Sequence, residues 1–222
     1  MPEIPPNHLH AIPLAGDSVT DHSAKSDGWD VFCQHFKISE DDQLLLSVGT
    51  IEPRKNHYHL LKGFELATRE LRDVQLRLII VGALGWHYDP ILQAISESPV
   101  ADRIILLGSI PDALLGCLYQ KAFATIFVSW GEGFGLPVLE SMTYGTPVIS
   151  SSVPALSELA QGAAYFVNPA SIGEIGAAIT ALGVSTQLRD KLSLLGSARA
   201  KTYSWNNTVG ATARLYKQLL AN

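Results

Sequence analysis

The sequence predicts a doubly wound α/β domain built on a parallel sheet, and two observations carry that expectation. Short apolar runs ending in glycine recur along the chain, at Leu44 to Val48 before Gly49, Leu76 to Val81 before Gly82, and Arg103 to Leu107 before Gly108. Stretches with helical spacing fill the intervals, from about Asn56 to Leu71, Ile91 to Ser96 and Asp112 to Ala122. Continuous apolar strands alternating with helices need right-handed crossovers and a sheet covered on both faces. Ligands of such sheets bind beyond the carboxyl ends of the strands, so the loops after Val48, Val81, Leu107 and Ser129 are expected to open on one edge.

A fourth strand, Thr125 to Ser129, runs into the glycine-rich segment Gly131-Glu132-Gly133-Phe134-Gly135. Pro147 to Ser150 and Ala164 to Val167 are further strand candidates, and helices are expected at Ile172 to Leu182, Thr186 to Thr202 and Asn206 to Leu220. Residues 1–40 have prolines and histidines without a sustained period, and are read as a linker or irregular cap. The domain itself is placed at residues 41–222.

Composition narrows the function. The 222 residues, 47% of them hydrophobic, are enough for one substantial core. A net charge of −5 supplies no general field for nucleic acid. Cys33 and Cys117 are too isolated for a disulfide scaffold or a thiolate metal site. With no leader-like segment and no bilayer-length apolar run, the expectation is a cytoplasmic chain. The sequon Asn206-Asn207-Thr208 then reads as an ordinary start of a helix.

Two loops carry the candidate chemistry. After the fourth strand, Pro137 suits a first helical position, and glycines at 131, 133 and 135 let the backbone approach a ligand while helix-start N–H groups bind phosphate oxygens. Glu132 in the loop and Glu140, expected in the first helical turn, flank that cradle. Either acid alone is accounted for as a solvated residue or a complement to the helix dipole. The pair favours a ligand bearing both hydroxyls and phosphate. After the first strand, Gly49-Thr50-Ile51-Glu52-Pro53-Arg54-Lys55-Asn56 sets two cations at a helix start, where the dipole opposes them. A bound diphosphate explains the placement; a surface pair of Glu52 with Arg54 is the competing account.

Glu132 to Met142, followed by Gly145-Thr146-Pro147-Val148-Ile149, resembles the motif of two glutamates separated by seven residues in glycosyltransferase family 4 and related retaining GT-B enzymes. Val48-Gly49-Thr50 with Glu52-Pro53-Arg54-Lys55-Asn56 resembles the diphosphate loop of the same family, and the likeness extends over roughly Leu44 to Leu220. Ile12-Pro13-Leu14 is similar to the strand exit that precedes this domain. The resemblance implies the C-terminal, donor-binding half of a GT-B fold and a retaining transfer from a nucleoside diphosphate sugar, of UDP-glucose or GDP-mannose type, to an acceptor hydroxyl in polysaccharide or glycoconjugate synthesis. It implies that Glu132 meets the donor sugar and that Gly133, Phe134, Gly135 and Leu136 offer backbone N–H groups. It further implies that Glu140 holds the ribose, that Arg54 and Lys55 neutralise the diphosphate beside Gly49, and that Ile110 meets the base. Thr50 departs from the pattern, since many relatives have arginine there. No metal or other cofactor is implied. The implied partners are the nucleotide sugar and an N-terminal acceptor domain outside this chain, toward which the last helix would present an apolar face. The isolated chain is expected to transfer weakly or not at all, and peripheral attachment of the full-length protein to the inner face of the membrane accords with the family.

Other readings rank lower. His8 with His10, and His57 with His59, are two residues apart and do not share a helix face, so surface histidines are expected rather than metal ligands. The glycines at 131, 133 and 135 lack dinucleotide-fingerprint spacing. A nucleotide-sugar epimerase and a catalytically silent binding module remain the alternatives.

Overall fold

A computed structural model describes residues 9–16 and 27–221. Six parallel strands, β1 (Asp42–Val48), β2 (Gln75–Val81), β3 (Ile104–Leu107), β4 (Ala124–Phe127), β5 (Val148–Ser151) and β6 (Tyr165–Val167), form one sheet in the order β3-β2-β1-β4-β5-β6. The order reverses between β1 and β4, where Leu45 and Leu46 pair with Ala124 and Thr125. At such a reversal the connections leave for opposite sides of the sheet and open a crevice at the carboxyl ends.

Both faces are covered, as the apolar strands require. In β1, Leu45 enters a core with Leu60 and Phe64 of α2 (His57–Glu70) and Ile175 and Ile179 of α7 (Ile172–Val184). Its neighbours Leu44 and Leu46 face the other way, onto Leu118 and Tyr119 of α4 (Asp112–Lys121). Farther along that second face, Val148 packs with Val138, Leu139 and Met142 of α5 (Leu136–Thr143) and Leu156 of α6 (Pro154–Ala160). Helices α3 (Asp89–Ser96), α8 (Thr186–Ala200) and α9 (Trp205–Leu220) lie outside these cores' main contacts or extend them, and α1 (Asp27–Phe36) precedes β1. Three helices start on serine caps: Ser171, Ser185 and Ser204 each accept from the amide three residues on.

The sequence expectation of an irregular segment up to residue 40 is corrected by α1 (Asp27–Phe36), which buries Phe32 to 5% exposure against Leu44 and Ile79. Trp29, Phe32 and Phe36 recur at helical spacing, but one short amphipathic turn pattern amid prolines and histidines was insufficient to reveal it. Helix α6 is the other unforeseen element; its Pro154 sits at the start, where a missing N–H costs nothing. His8 lies outside the described residues. The segment around Ile12-Pro13-Leu14 is irregular, with the Pro13 carbonyl accepting from Thr208 Oγ1 of α9 at 2.7 Å. On α9, Val209 and Leu219 are 63% and 64% exposed, in keeping with the apolar outer face expected of the last helix.

Candidate functional site

The loops after β1 and β4 meet at the reversal point, and their charged residues converge on one carboxylate. Glu132 accepts from Lys55 Nζ on Oε1 at 2.7 Å, from Arg54 Nη1 on Oε2 at 2.8 Å, and from Ser129 Oγ on Oε1 at 2.6 Å. Arg54 also donates to the Gly131 carbonyl at 2.9 Å and pairs with Glu52 at 2.7 Å. The surface pair weighed as a competing account therefore exists, as one arm of a larger node.

Backbone geometry explains why these side chains reach each other. Gly49 leaves β1 at φ 152°, and a Cβ there would lie 3.2 Å from Lys55 Cε, so glycine gives the lysine chain its path. A 3₁₀ turn, Pro53–Lys55, then sets Arg54 and Lys55 ahead of α2. Asn56 closes that turn in the left-handed region, φ 59°, a conformation asparagine tolerates better than most residues. Its buried amide donates to the carbonyls of Val128 and Pro169, at 2.9 and 2.8 Å, tying together the loops after β1, β4 and β6. The Trp130 amide donates to the Arg54 carbonyl at 2.9 Å, and Ser151 Oγ donates to the Ser129 carbonyl at 2.8 Å. Asn56 and Ser129 are thus structural members of the site. An asparagine directly ahead of a helix was the signal for the first, while the serine has none that distinguishes it from any strand-end hydroxyl.

The electrostatics follow from this closure. Burial alone pushes the Glu132 carboxyl up, but hydrogen bonds from Lys55 and Ser129, the lysine charge and the Arg54 bond together hold it below the usual carboxylate range. The bond to Glu132 in turn raises Arg54.

The glycine loop supplies amides. Gly135 caps α5 at φ 100°, and a Cβ there would collide with Leu156 Cδ2. Its carbonyl accepts from the amides of Val138 and Leu139. Among the described residues, the N–H groups of Gly133, Phe134, Gly135 and Leu136 donate to no backbone carbonyl. Two details differ from expectation. The helix begins at Leu136, with Pro137 second, so that amide is missing from the first turn. Glu140 lies beyond the first turn, which holds no acid, and accepts from Tyr119 Oη at 2.9 Å. Burial, followed by the Glu140 charge, holds Tyr119 well above the ordinary phenol range.

Thr50 lies directly after Gly49, with Cγ2 against the position a Gly85 Cβ would take, and the next residue, Ile51, bridges to Leu84. Ile110, after β3, packs on the core that holds Tyr119. Its loop opens on the same sheet edge. The histidines need a correction: His57, taken for a surface residue, is 2% exposed at the first position of α2. Burial, with Lys55 nearby, pushes its pKa down to about 4.

Residues 32–194 match the family model described as glycosyl transferases group 1. The chain is 36% identical over 174 residues to O-antigen chain mannosyltransferase B of Escherichia coli, covering 78% of this chain and 45% of that protein. It is 26% identical over 225 residues to the MMP alpha-(1->4)-mannosyltransferase of Mycolicibacterium hassiacum, covering 98% of this chain and 50% of that one. The chain thus spans about half the length of these relatives. A glycosyltransferase from Rickettsia africae superposes with a TM-score of 0.84 at 17% identity, over 97% of this chain and 58% of that chain.

Proposed function

Because the chain belongs to the glycosyl transferases group 1 family, we propose that it binds the donor in a retaining transfer of a mannosyl group from a nucleoside diphosphate sugar to an acceptor hydroxyl. The observation that carries this reading is the convergence of Arg54 and Lys55 on Glu132, beside the amides of residues 133–136 and at the reversal point of the sheet. The mannosyl assignment draws on the relatives' names, O-antigen chain mannosyltransferase B among them.

The node is arranged for exchange. A diphosphate seated on the loop amides would take over the bonds that Lys55 and Arg54 now give to Glu132. The released carboxylate would then accept from donor-sugar hydroxyls. As the glycosidic bond breaks, charge grows on the leaving diphosphate, and fixed cations and amides stabilise it where it develops. That task needs no metal ion. Glu140, which accepts from Tyr119, would hold the ribose, with Ile110 against the base. The acceptor side is assigned to the part of the relatives' length that this chain does not span, so the chain by itself binds donor and transfers weakly. Among the described residues no helix is long and apolar enough to cross a membrane; attachment of the whole protein to a membrane surface is part of the proposal.

Isothermal titration with GDP-mannose and UDP-glucose, with and without chelator, tests the reading. Saturable binding of one nucleotide sugar, unchanged by chelator and lost in Lys55→Ala with Arg54→Ala, is expected. Heat that is absent for both, or that survives loss of both cations, overturns it.

A further inference from the structure

Beside the Glu132 node, on the side of the sheet edge toward α2 and α3, lies a pocket of about 430 Å³ that the donor reading leaves unused. Its walls come from three stretches of chain: Pro53 and residues 56–59 after β1, His87, Pro90 and Ile91 after β2, and Trp130 after β4. Among the described residues, none that lines it carries a carboxylate, ammonium or guanidinium group, and burial keeps His57 neutral at physiological pH. Such a lining does not suit a phosphate or a carboxylate, which would be desolvated against it without a counter-charge.

The rings are set as a corner. His59 and Trp130 meet edge to face at 85°, with centroids 5.3 Å apart, and Tyr58 lies 5.9 Å from His59 at 78°. Tyr58, whose ring centroid has the Lys62 ammonium 5.9 Å away, and Trp130 are still 49% and 47% exposed, large aromatic surface to leave in water. The imidazoles of His59 and His87 also line the pocket, and an imidazole has one nitrogen that donates to a hydroxyl and one that accepts from it. A lining without acidic or basic chains, exposed aromatic surface, and imidazole hydrogen-bonding groups describe a ring that has polarised C–H groups on its faces and hydroxyls at its rim. Aromatic faces, negative at their centres, attract such C–H groups, and a few polar contacts then fix orientation.

We propose that this pocket is a saccharide subsite that takes a neutral pyranose ring of the acceptor glycan. Saccharide binding stands on the pocket alone, and only the identification of the ring as acceptor rests on the transfer reading above. The position suits that role. Trp130 is two residues from Glu132, and its amide is bonded to the Arg54 carbonyl, so a ring on Trp130 lies next to the loop that would hold the donor. A donor-binding half that also grips the acceptor would help bring both substrates into one orientation, which is where much of the rate of a two-substrate reaction comes from.

The test is a titration of the 222-residue chain with mannotriose, followed through tryptophan indole N–H signals by NMR, with GDP titrated separately. Substitution of Trp130 by phenylalanine assigns its signal. Mannotriose is expected to shift the Trp130 indole saturably, Tyr58→Ala to weaken that binding at least tenfold by the same signal, Trp130→Ala to weaken mannotriose binding at least tenfold by calorimetry, and GDP affinity to stay within twofold in both variants. Mannose 6-phosphate is expected to bind more weakly than methyl mannoside. An unmoved Trp130 signal at saturating mannotriose, an affinity unchanged by Tyr58→Ala, or GDP competing for the same signal overturns the subsite. If GDP binds and mannotriose does not, the subsite fails while the donor reading stands; if mannotriose binds and GDP does not, the reverse holds.

Discussion

Glu132 divides its two carboxylate oxygens between Lys55, at 2.7 Å, and Arg54, at 2.8 Å, two cations 77 and 78 positions away in sequence. A carboxylate so engaged competes with any anion for the same cations. Glu132→Gln is therefore expected to leave GDP affinity equal or raise it a few-fold, while turnover of the full-length enzyme falls by more than a hundredfold. Calorimetry with GDP and an assay of sugar transfer measure the two effects; GDP affinity falling in step with turnover would refute the exchange.

Lys55 is the more enclosed of the two cations, its side chain 16% exposed against 44% for Arg54. A charge-assisted bond in an enclosed setting is worth about 1.5–3 kcal/mol. Lys55→Ala is expected to weaken nucleoside diphosphate binding by roughly 10- to 100-fold, and Arg54→Ala by less, because water screens the exposed group. Dissociation constants compared at two salt concentrations check this, with the larger salt sensitivity expected in the bonds of Arg54.

Asn56 holds three loops through two hydrogen bonds while buried to 3% exposure. Asn56→Ala leaves two carbonyls without their donor and keeps a left-handed backbone that alanine resists, at a cost of about 2–4 kcal/mol. Asn56→Gly relieves the backbone alone, so urea unfolding should place it between wild type and Asn56→Ala. A glycine variant as stable as wild type would show that the side-chain bonds contribute nothing.

Acid should destabilise the chain through His57. Its folded pKa, about 4, lies below the ordinary imidazole value of 6.5, so between those pH values the unfolded chain takes up a proton that the folded chain refuses. Stability attributable to this group is intact above pH about 6.5 and is lost as pH falls toward 4, by about 3 kcal/mol in total. Glu132, whose folded pKa is depressed, adds a loss of the same sign at the acidic end of the range, as the carboxylate is protonated. His57→Leu should fold and flatten the slope of unfolding free energy between pH 6.5 and pH 4; an unaltered slope would count against the assignment.

Much of this protein was written in local chemistry. Apolar runs such as Leu44 to Val48 and Leu76 to Val81 specify strands because neither face tolerates water, and each glycine that follows marks where the chain leaves the sheet. The loops of Arg54, Lys55 and Glu132 could be picked out because cations at a helix start and glycines before one are unfavourable without a purpose. Helix α1 is not legible in the sequence because its ten residues hold only one short helical pattern, and what fixes it is the packing of Phe32 on Leu44 and Ile79.

Sequence alone determined the alternation of strands and helices, the family likeness and the residues that bear charge at the sheet edge, since these depend on neighbours a few positions apart. Tertiary structure decided that Glu132 answers Arg54 and Lys55, that Tyr119 answers Glu140, and that His57 is buried beside an aromatic corner. The physical reason is that pairing and desolvation depend on distance in space. Only the reversal of the sheet between β1 and β4 brings residues so far apart in the chain within hydrogen-bonding reach.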